Sequence, residues 1–347
     1  MAKSKSEFKG EYDPGEEVAH LREEIKRLER ERDKYQKEHG SLKNLFRDLL
    51  ENVEAIEPPK IQYKAPAKST VASPCVAVSH WTDWHEGAVQ DADEIEGFNA
   101  FSPAILRSRL WSCVERQQEW VELHRKSYTI NESVDIVTGD LLSGGIHAEL
   151  LRTNEYPEAV QSVKAGELLA DIIATKAQHY QKVVVEFVVV DNHARLTHKP
   201  QASEAGLNTW NYVVGAFAKE RLRDVPNVEF NLYPVIQTTI DVIGRRYLIC
   251  HGDRIKGWSG LPFYGFARKV GLEAVKRMKR SLGRFDRVIM GHFHTPMTLP
   301  DLWLGGSPSG TSAYDHSQGR DSDPSQSSWI VHSKHGEFDR TDWILRD

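Results

Sequence analysis

Five stretches of this 347-residue chain end an apolar run in side chains able to hold a metal ion. Val76–Val78 leads to Asp83-Trp84-His85, and Val134-Asp-Ile-Val-Thr-Gly139 leads to Asp140. Val183–Val190 leads to Asp191-Asn192-His193, Tyr247–Cys250 to His251, and Val288–Met290 to Gly291-His292-Phe293-His294. A β-branched run reads as a buried strand, and a group just past its end lies on the rim where open α/β sheets place ligands. Carboxylates, imidazoles and a carboxamide on one rim are the donor set of a pair of divalent cations. Such a pair, roughly 3.5–4 Å apart, clamps the attacking and leaving oxygens of a phosphate ester and activates water. Asp83 and His85, separated by one residue, can reach one ion, and His292 and His294 share that spacing. Asp140 is placed to bridge, and Asn192 and His251 complete the second ion. Taken singly, His85 or His251 reads as a structural histidine and Asp140 as a helix cap. Their joint, ordered occurrence removes those readings.

The elements that must position these residues alternate. Strands are expected at 76–78, 134–139, 183–190, 229–232, 238–243, 247–250 and 288–290, with closing strands at 329–332 and 343–345. Strands 238–243 and 247–250 lie close enough for a hairpin, so the sheets should be mixed. Helices are expected at 103–126, 157–181, 207–223 and 263–282, the first opening on Pro103. In the last, Phe266, Val270, Val275, Met278 and Leu282 are expected inward. Arg268, Lys269, Lys276, Arg277, Lys279 and Arg280 would then form a basic outer face. The pattern predicts an α/β layered core.

Ahead of that core, residues 1–15 are polar and expected to be disordered. From Val18 through Leu21, Ile25, Leu28, Arg32, Tyr35, His39, Leu42, Phe46, Leu49 and Val53 to Ile56, spacings of three and four form a heptad seam, made imperfect by Arg32 and His39. That predicts a coiled-coil helix over 16–57 and a homo-oligomer through it, a single amphipathic helix packed on its own domain being the alternative. Pro58-Pro59 opens a linker over 58–74, and the catalytic domain spans 75–347. The net charge of -5 excludes a globally basic nucleic-acid binder and leaves a local patch open. Three scattered cysteines give neither a disulfide framework nor a thiolate zinc site, which fits a reducing cytoplasm. No run approaches the ~18 apolar residues of a bilayer span, so no membrane association is expected.

The ordered set Asp83-x-His85, Gly139-Asp140, Asn192-His193, His251 and Gly291-His292-x-His294 resembles the calcineurin-like metallophosphoesterase superfamily from roughly Cys75 to Asp347. The resemblance implies an α/β fold, a double β-sandwich of mixed sheets flanked by helices. It assigns Asp83, His85, Asp140 and His294 to one ion, and Asp140, Asn192, His251 and His292 to the other. It implies two divalent metal ions, Mn2+ foremost, with Mg2+, Fe, Zn2+ or Co2+ as alternatives. It gives His193, next to Asn192, the catalytic contact with the scissile phosphate or leaving group.

Two positions depart from the family pattern, which commonly reads Gly-Asn-His followed by Asp or Glu. Ala194 removes a carboxylate that could orient His193, and Asp191 stands where a turn would use glycine's backbone freedom. Because every ligand is retained, an active phosphoesterase is expected rather than a scaffold or binding subunit weakened by these changes. Gly139-Asp140 runs into Leu141-Leu142-Ser143-Gly144, unlike the Gly-Asp-x-x-Asp-Arg-Gly of the protein phosphatase branch. The chain is more similar to nuclease members, and the coiled coil in front resembles phage or prophage-encoded ones. A phosphomonoesterase or protein phosphatase remains the alternative. Expected substrate contacts to DNA or RNA are Arg195, His147, Lys276, Arg277, Lys279 and Arg280, with Trp258, Phe263 and Tyr264 as stacking platforms. An ordinary solvated helix face is the competing reading for the basic residues.

Overall fold

A computed structural model describes residues 74–146, 150–200, 205–256, 261–317, 319 and 321–346, together with 23, 25–27 and 30. Residues 23, 25–27 and 30 are helical; the rest of the predicted N-terminal segment, coiled coil and linker up to residue 73, and His147 and Trp258, lie outside the described residues. Among the described residues no helix is long and apolar enough to cross a membrane.

The core is two mixed sheets packed face to face. Strands β1 (Cys75–Trp81), β2 (Ile130–Val137), β3 (Lys182–Val188) and β4 (Val228–Tyr233) run parallel, and β10 (Ser325–His332) and β11 (Gly336–Ile344) extend them antiparallel. The second sheet orders β5 (Gln237–Val242), β6 (Arg245–Cys250), β7 (Arg287–Met290), β9 (Leu302–Leu304) and β8 (Met297–Leu299), with β6, β7 and β9 parallel. The β5–β6 hairpin is antiparallel, as the spacing predicts. Strands β8 and β9 have no counterpart in the sequence reading, since three residues are too few to show a period.

Alternation along each strand builds three apolar layers. Val76, Val78, Val134, Ile136 and Val184 of the first sheet meet Ile240, Tyr247, Ile249, Ile289 and Trp303 of the second in the central core. The outer face of the first sheet is covered by α1 (Pro103–Arg125), α3 (Glu158–Ala177) and α4 (Trp210–Arg221), with the short α2 (Leu150–Thr153) between α1 and α3 in sequence. Ser102 caps α1 by accepting from Ile105 N, with Pro103 in the first turn, and Thr209 caps α4. A buried Lys176–Asp135 ion pair ties α3 to β2, and Trp81 Nε1 donates to the same carboxylate at 2.7 Å.

Helix α5 (Phe263–Lys279) packs on the outer face of the second sheet, and here the inward set predicted from sequence is corrected. Phe266 is buried and Val270 partly so, but Val275, Met278 and Leu282 are 45%, 75% and 54% exposed. The cause is polar. Buried Glu273 accepts from Gln237 Nε2 of β5 at 2.8 Å and from Lys276 at 2.9 Å, so the helix docks through the Phe266–Glu273 edge of its surface. Arg277 turns back over the Phe285 ring, leaving Arg268, Lys276, Lys279 and Arg280 as the exposed cations.

The topology places five loops on one rim. The C-terminal ends of parallel β1, β2 and β3 lie beside those of parallel β6 and β7. Backbone hydrogen bonds stitch the loops together: Asp83 N to Gly139 O and His85 N to Asp140 O at 3.0 Å, and Gly291 N to His251 O at 2.9 Å. Gly291 is required there, because a Cβ would lie 2.0 Å from Thr82 Oγ1 and 2.3 Å from Asp83 Oδ2.

Candidate metal centre

Nine non-glycine residues among those described have positive φ. Five of them are Asp83 (55°), His85 (51°), Asp140 (46°), His292 (72°) and His294 (56°). The left-handed region costs an L-residue roughly 1–2 kcal/mol and concentrates where geometry serves function. Here it turns five side chains off the strand ends into a common space.

Two clusters result. In one, Asp83, His85 and His294 bring one ligand atom each within 4.8 Å of the others; in the second, Asp140, His251 and His292 do so. Asp83 is fixed by His292 N, 3.0 and 2.9 Å from its two oxygens, and by Thr82 Oγ1 at 2.8 Å. His294 Nε2 lies 3.7 Å from Asp83 Oδ1 and 3.0 Å from His85 Nε2. In the second cluster His251 Nε2 sits 2.9 Å from Asp140 Oδ2 and 3.0 Å from Asn192 Oδ1. Its Nδ1 donates to Thr138 O at 2.8 Å, so Nε2 is the nitrogen presented to the centre.

The electrostatics are those of carboxylates and imidazoles crowded in a buried site. Burial alone would raise Asp140, yet His251 and His193 hold it well below the usual carboxylate range. Burial opposes charge on His251 as well, and Asp140 overrides it, raising that imidazole well above its ordinary value. His85 is pushed well down by burial and by His193, and His292 by burial and His251 to about 3. Burial raises Asp83. Oxygen and imidazole donors converge with ring nitrogens 3.0 Å apart, and this set fits divalent cations.

His193 stands beside both clusters. Its backbone N donates to Asp140 Oδ1 at 3.1 Å, its Nε2 lies 4.0 Å from Asp140 Oδ2, and its ring meets His85 edge-on at 4.7 Å. Nδ1 is 2.7 Å from the Ser143 carbonyl, which accepts its proton and orients the ring. The carboxylate missing at Ala194 is thus replaced by a backbone oxygen. Gly144 makes this approach feasible: its φ is 70°, and a Cβ would fall 2.1 Å from His193 O.

The reading of Asp191 is also corrected. It has no positive φ, so the turn does not call for glycine. Its carboxylate accepts from Asp140 N at 2.6 Å, from Ala194 N at 2.9 Å and from Asn211 Nδ2, pinning the Asp140 and His193 loops together. Burial, then Asp140, pushes its pKa well above the usual range.

Of the substrate contacts expected from sequence, Arg195 stands two residues beyond His193. Arg195 donates to Thr197 O and His198 O at 2.9 Å, so its guanidinium braces its own loop. Lys276, Arg277 and Lys279 lie in the last turn of α5, and Arg280 caps its C-terminus. Sequence reading missed Thr82, the Ser143 carbonyl, and Asp315 of α6 (Ala313–Ser317), whose Oδ2 lies 3.5 Å from His294 Nδ1. The one available signal was Ser312-x-x-Asp315, a capping-box spacing that announces a helical turn and says nothing of its neighbour.

No family model matches this chain, and no curated protein matches it. Solved structures similar to it include vacuolar protein sorting 29 from Cryptosporidium parvum, at 11% identity over 78% of this chain and 98% of that one, TM-score 0.32. A purple acid phosphatase from yellow lupin is 13% identical over 81% of this chain and 55% of that one, TM-score 0.29. A serine/threonine protein phosphatase from Saccharomyces cerevisiae is 11% identical over 88% and 90%, TM-score 0.31.

Proposed function

We propose that this chain is a calcineurin-like metallophosphoesterase that hydrolyses phosphodiester bonds, with nucleic acid as its substrate class. The observation that carries this is the pair of ligand clusters, Asp83–His85–His294 and Asp140–His251–His292, with His193 against Asp140. Asn192 joins the second cluster through its carboxamide oxygen. Asp140 is assigned as the bridging ligand, because its Oδ2 lies 2.9 Å from His251 Nε2 of its own cluster while its backbone carbonyl takes the amide of His85 from the neighbouring one at 3.0 Å.

When bound, a pair of divalent cations, Mn2+ foremost, supplies Lewis-acid polarisation of a phosphoryl oxygen and a lowered water pKa. The chain's own residues do the rest. Asp83, His85, Asp140, Asn192, His251, His292 and His294 would hold the cations, five of them (Asp83, His85, Asp140, His292 and His294) from backbone at positive φ. His193, with Nδ1–H donated to Ser143 O, turns Nε2 toward Asp140 Oδ2 at 4.0 Å, and its side chain is 20% exposed. That nitrogen contacts the phosphate or hands a proton to the departing oxygen, worth about 10²–10⁴ in rate.

A scaffold role drew its support from Ala194 and Asp191. Ser143 O orients His193 in place of the lost carboxylate, and Asp191 anchors the loops, so neither residue argues against turnover. Nucleic acid is favoured by the exposed cations Arg268, Lys276, Lys279 and Arg280 and by the exposed rings of Phe263 and Tyr264. The deciding experiment is turnover of a chromogenic diester, a chromogenic monoester, and single- and double-stranded DNA and RNA, each with Mn2+. Cleavage of the diester and a polynucleotide supports the reading. Monoester turnover alone overturns the nuclease assignment, and no turnover with both metals bound supports a scaffold.

A further inference from the structure

We propose that Asp315 is a positioning residue for the metal centre, fixing the ring of His294 from behind and strengthening it as a ligand for the ion shared with Asp83 and His85. This rests on the dinuclear reading above and extends it to a residue from the far C-terminal part of the chain.

The geometry is a relay of three groups. His294 Nε2 faces His85 Nε2 at 3.0 Å and Asp83 Oδ1 at 3.7 Å, so that nitrogen points into the cluster. The opposite nitrogen, Nδ1, has no hydrogen-bond partner of strict geometry, and Asp315 Oδ2 stands 3.5 Å from it. Asp315 is only 7% exposed, so its charge is poorly screened. A histidine ligand whose second N–H points at a carboxylate is fixed in tautomer and ring angle and is a stronger donor, and loss of such a partner costs about 10–100-fold in metal affinity. His251 has its Nδ1 backed by the neutral carbonyl of Thr138. Carboxylate backing of His294 therefore makes the two ions unequal, with the Asp83–His85–His294 ion gaining the added negative charge.

The plainer role for Asp315 is helix capping. Asp315 N is 3.2 Å from Ser312 Oγ, while Ser312 Oγ donates to Asp315 Oδ2 at 2.7 Å. Capping requires an acceptor, which Asn supplies, whereas the added donor strength at His294 requires the anion. Asp315→Asn keeps the acceptor and removes the charge, and Ser312→Ala removes the capping hydroxyl and keeps the charge.

Calorimetric titration of the metal-stripped full-length protein with Mn2+ reads each ion separately, alongside thermal denaturation without metal. The expected result is two sites in the unsubstituted protein, and in Asp315→Asn one of them weakened about 10–100-fold with the other within a few-fold. Ser312→Ala should leave both affinities within a few-fold, and the metal-free Tm of Asp315→Asn should match the unsubstituted protein. Unchanged affinities in Asp315→Asn, or both sites weakened together with a lowered metal-free Tm, overturn the positioning role. Failure of the unsubstituted protein to bind Mn2+, Zn2+ or Co2+ overturns the dinuclear reading itself, and the inference with it.

Discussion

The imidazoles of His85 and His294 meet nitrogen to nitrogen, Nε2 to Nε2 at 3.0 Å, though the residues are 209 positions apart in sequence. Two ring nitrogens at that separation share one proton or face a common cation. Asp83 Oδ1, 3.7 Å from His294 Nε2, adds the anion that favours the cation. Divalent metal should therefore stabilise the fold. At a metal concentration about 100 times Kd the gain is roughly 2.7 kcal/mol per site, or several degrees in Tm. Thermal denaturation with Mn2+ and then with excess chelator measures it, and a Tm indifferent to both would remove the metal assignment.

Asp140 should matter more than any ligand serving one ion. Its Oδ2 contacts His251, its Oδ1 takes His193 N, and its backbone carbonyl takes His85 N. Asp140→Ala keeps the backbone contact and leaves two neighbouring cations without a shared anion. Elemental analysis should find fewer than two metals per chain and activity should be lost, whereas His85→Ala should retain the metal at the second cluster. Two metals per chain in purified Asp140→Ala would show that this carboxylate does not bridge.

The candidate ligands were legible in sequence because each follows an apolar run, and strand ends on one rim need no knowledge of packing. What supports them was not. Ser143 acts through a backbone oxygen and so leaves no side-chain signature. Asp315 lies 21 residues beyond His294, in a polar segment without a period. The exposed flank of α5 misled for another reason: Val275, Met278 and Leu282 fit a helical stripe, yet the Glu273–Gln237 contact sets which edge of that stripe is buried. Period identifies a helix, while one buried polar contact decides its rotation.

Gly144→Ala tests the orientation of His193. The new Cβ would sit 2.1 Å from His193 O at a φ of 70°, so the Ser143 loop must move away. The expected result is a kcat loss of about 10²-fold or more with both metals still bound, since no ligand is displaced. A variant with unaltered kcat would show that the Ser143 contact does not set the ring.

Acid stability should depend on His80, buried at 2% exposure with Nε2 2.7 Å from Thr138 Oγ1. Burial, reinforced by Arg340 and His251, pushes its pKa down to about 3. The unfolded chain, with a histidine pKa of about 6.5, binds the extra proton across the window from 6.5 to 3, so stability falls as pH falls through it. The slope approaches about 1.4 kcal/mol per pH unit. Between pH 7 and pH 5 the unsubstituted protein should lose about 2 kcal/mol more than His80→Gln, read by urea denaturation at each pH. Equal losses in the two proteins would place the acid sensitivity elsewhere.

The substrate class is tested through charge. Arg268, Lys276, Lys279 and the C-cap Arg280 are the exposed cations of α5 and its end, whereas Arg277 turns toward Phe285 and Lys269 is tied to Gln237. If the exposed four track a polynucleotide backbone, each lost phosphate contact should lower the log–log salt slope of binding by about 1. Changing all four to Gln should sharply reduce polynucleotide cleavage at moderate salt. Hydrolysis of a small chromogenic diester should stay within about two-fold, because it needs only the metal clusters and His193. The paired readout separates the causes, since a folding defect lowers both activities. Retention of both would leave α5 a solvated face and withdraw the support it lends to a nucleic-acid substrate.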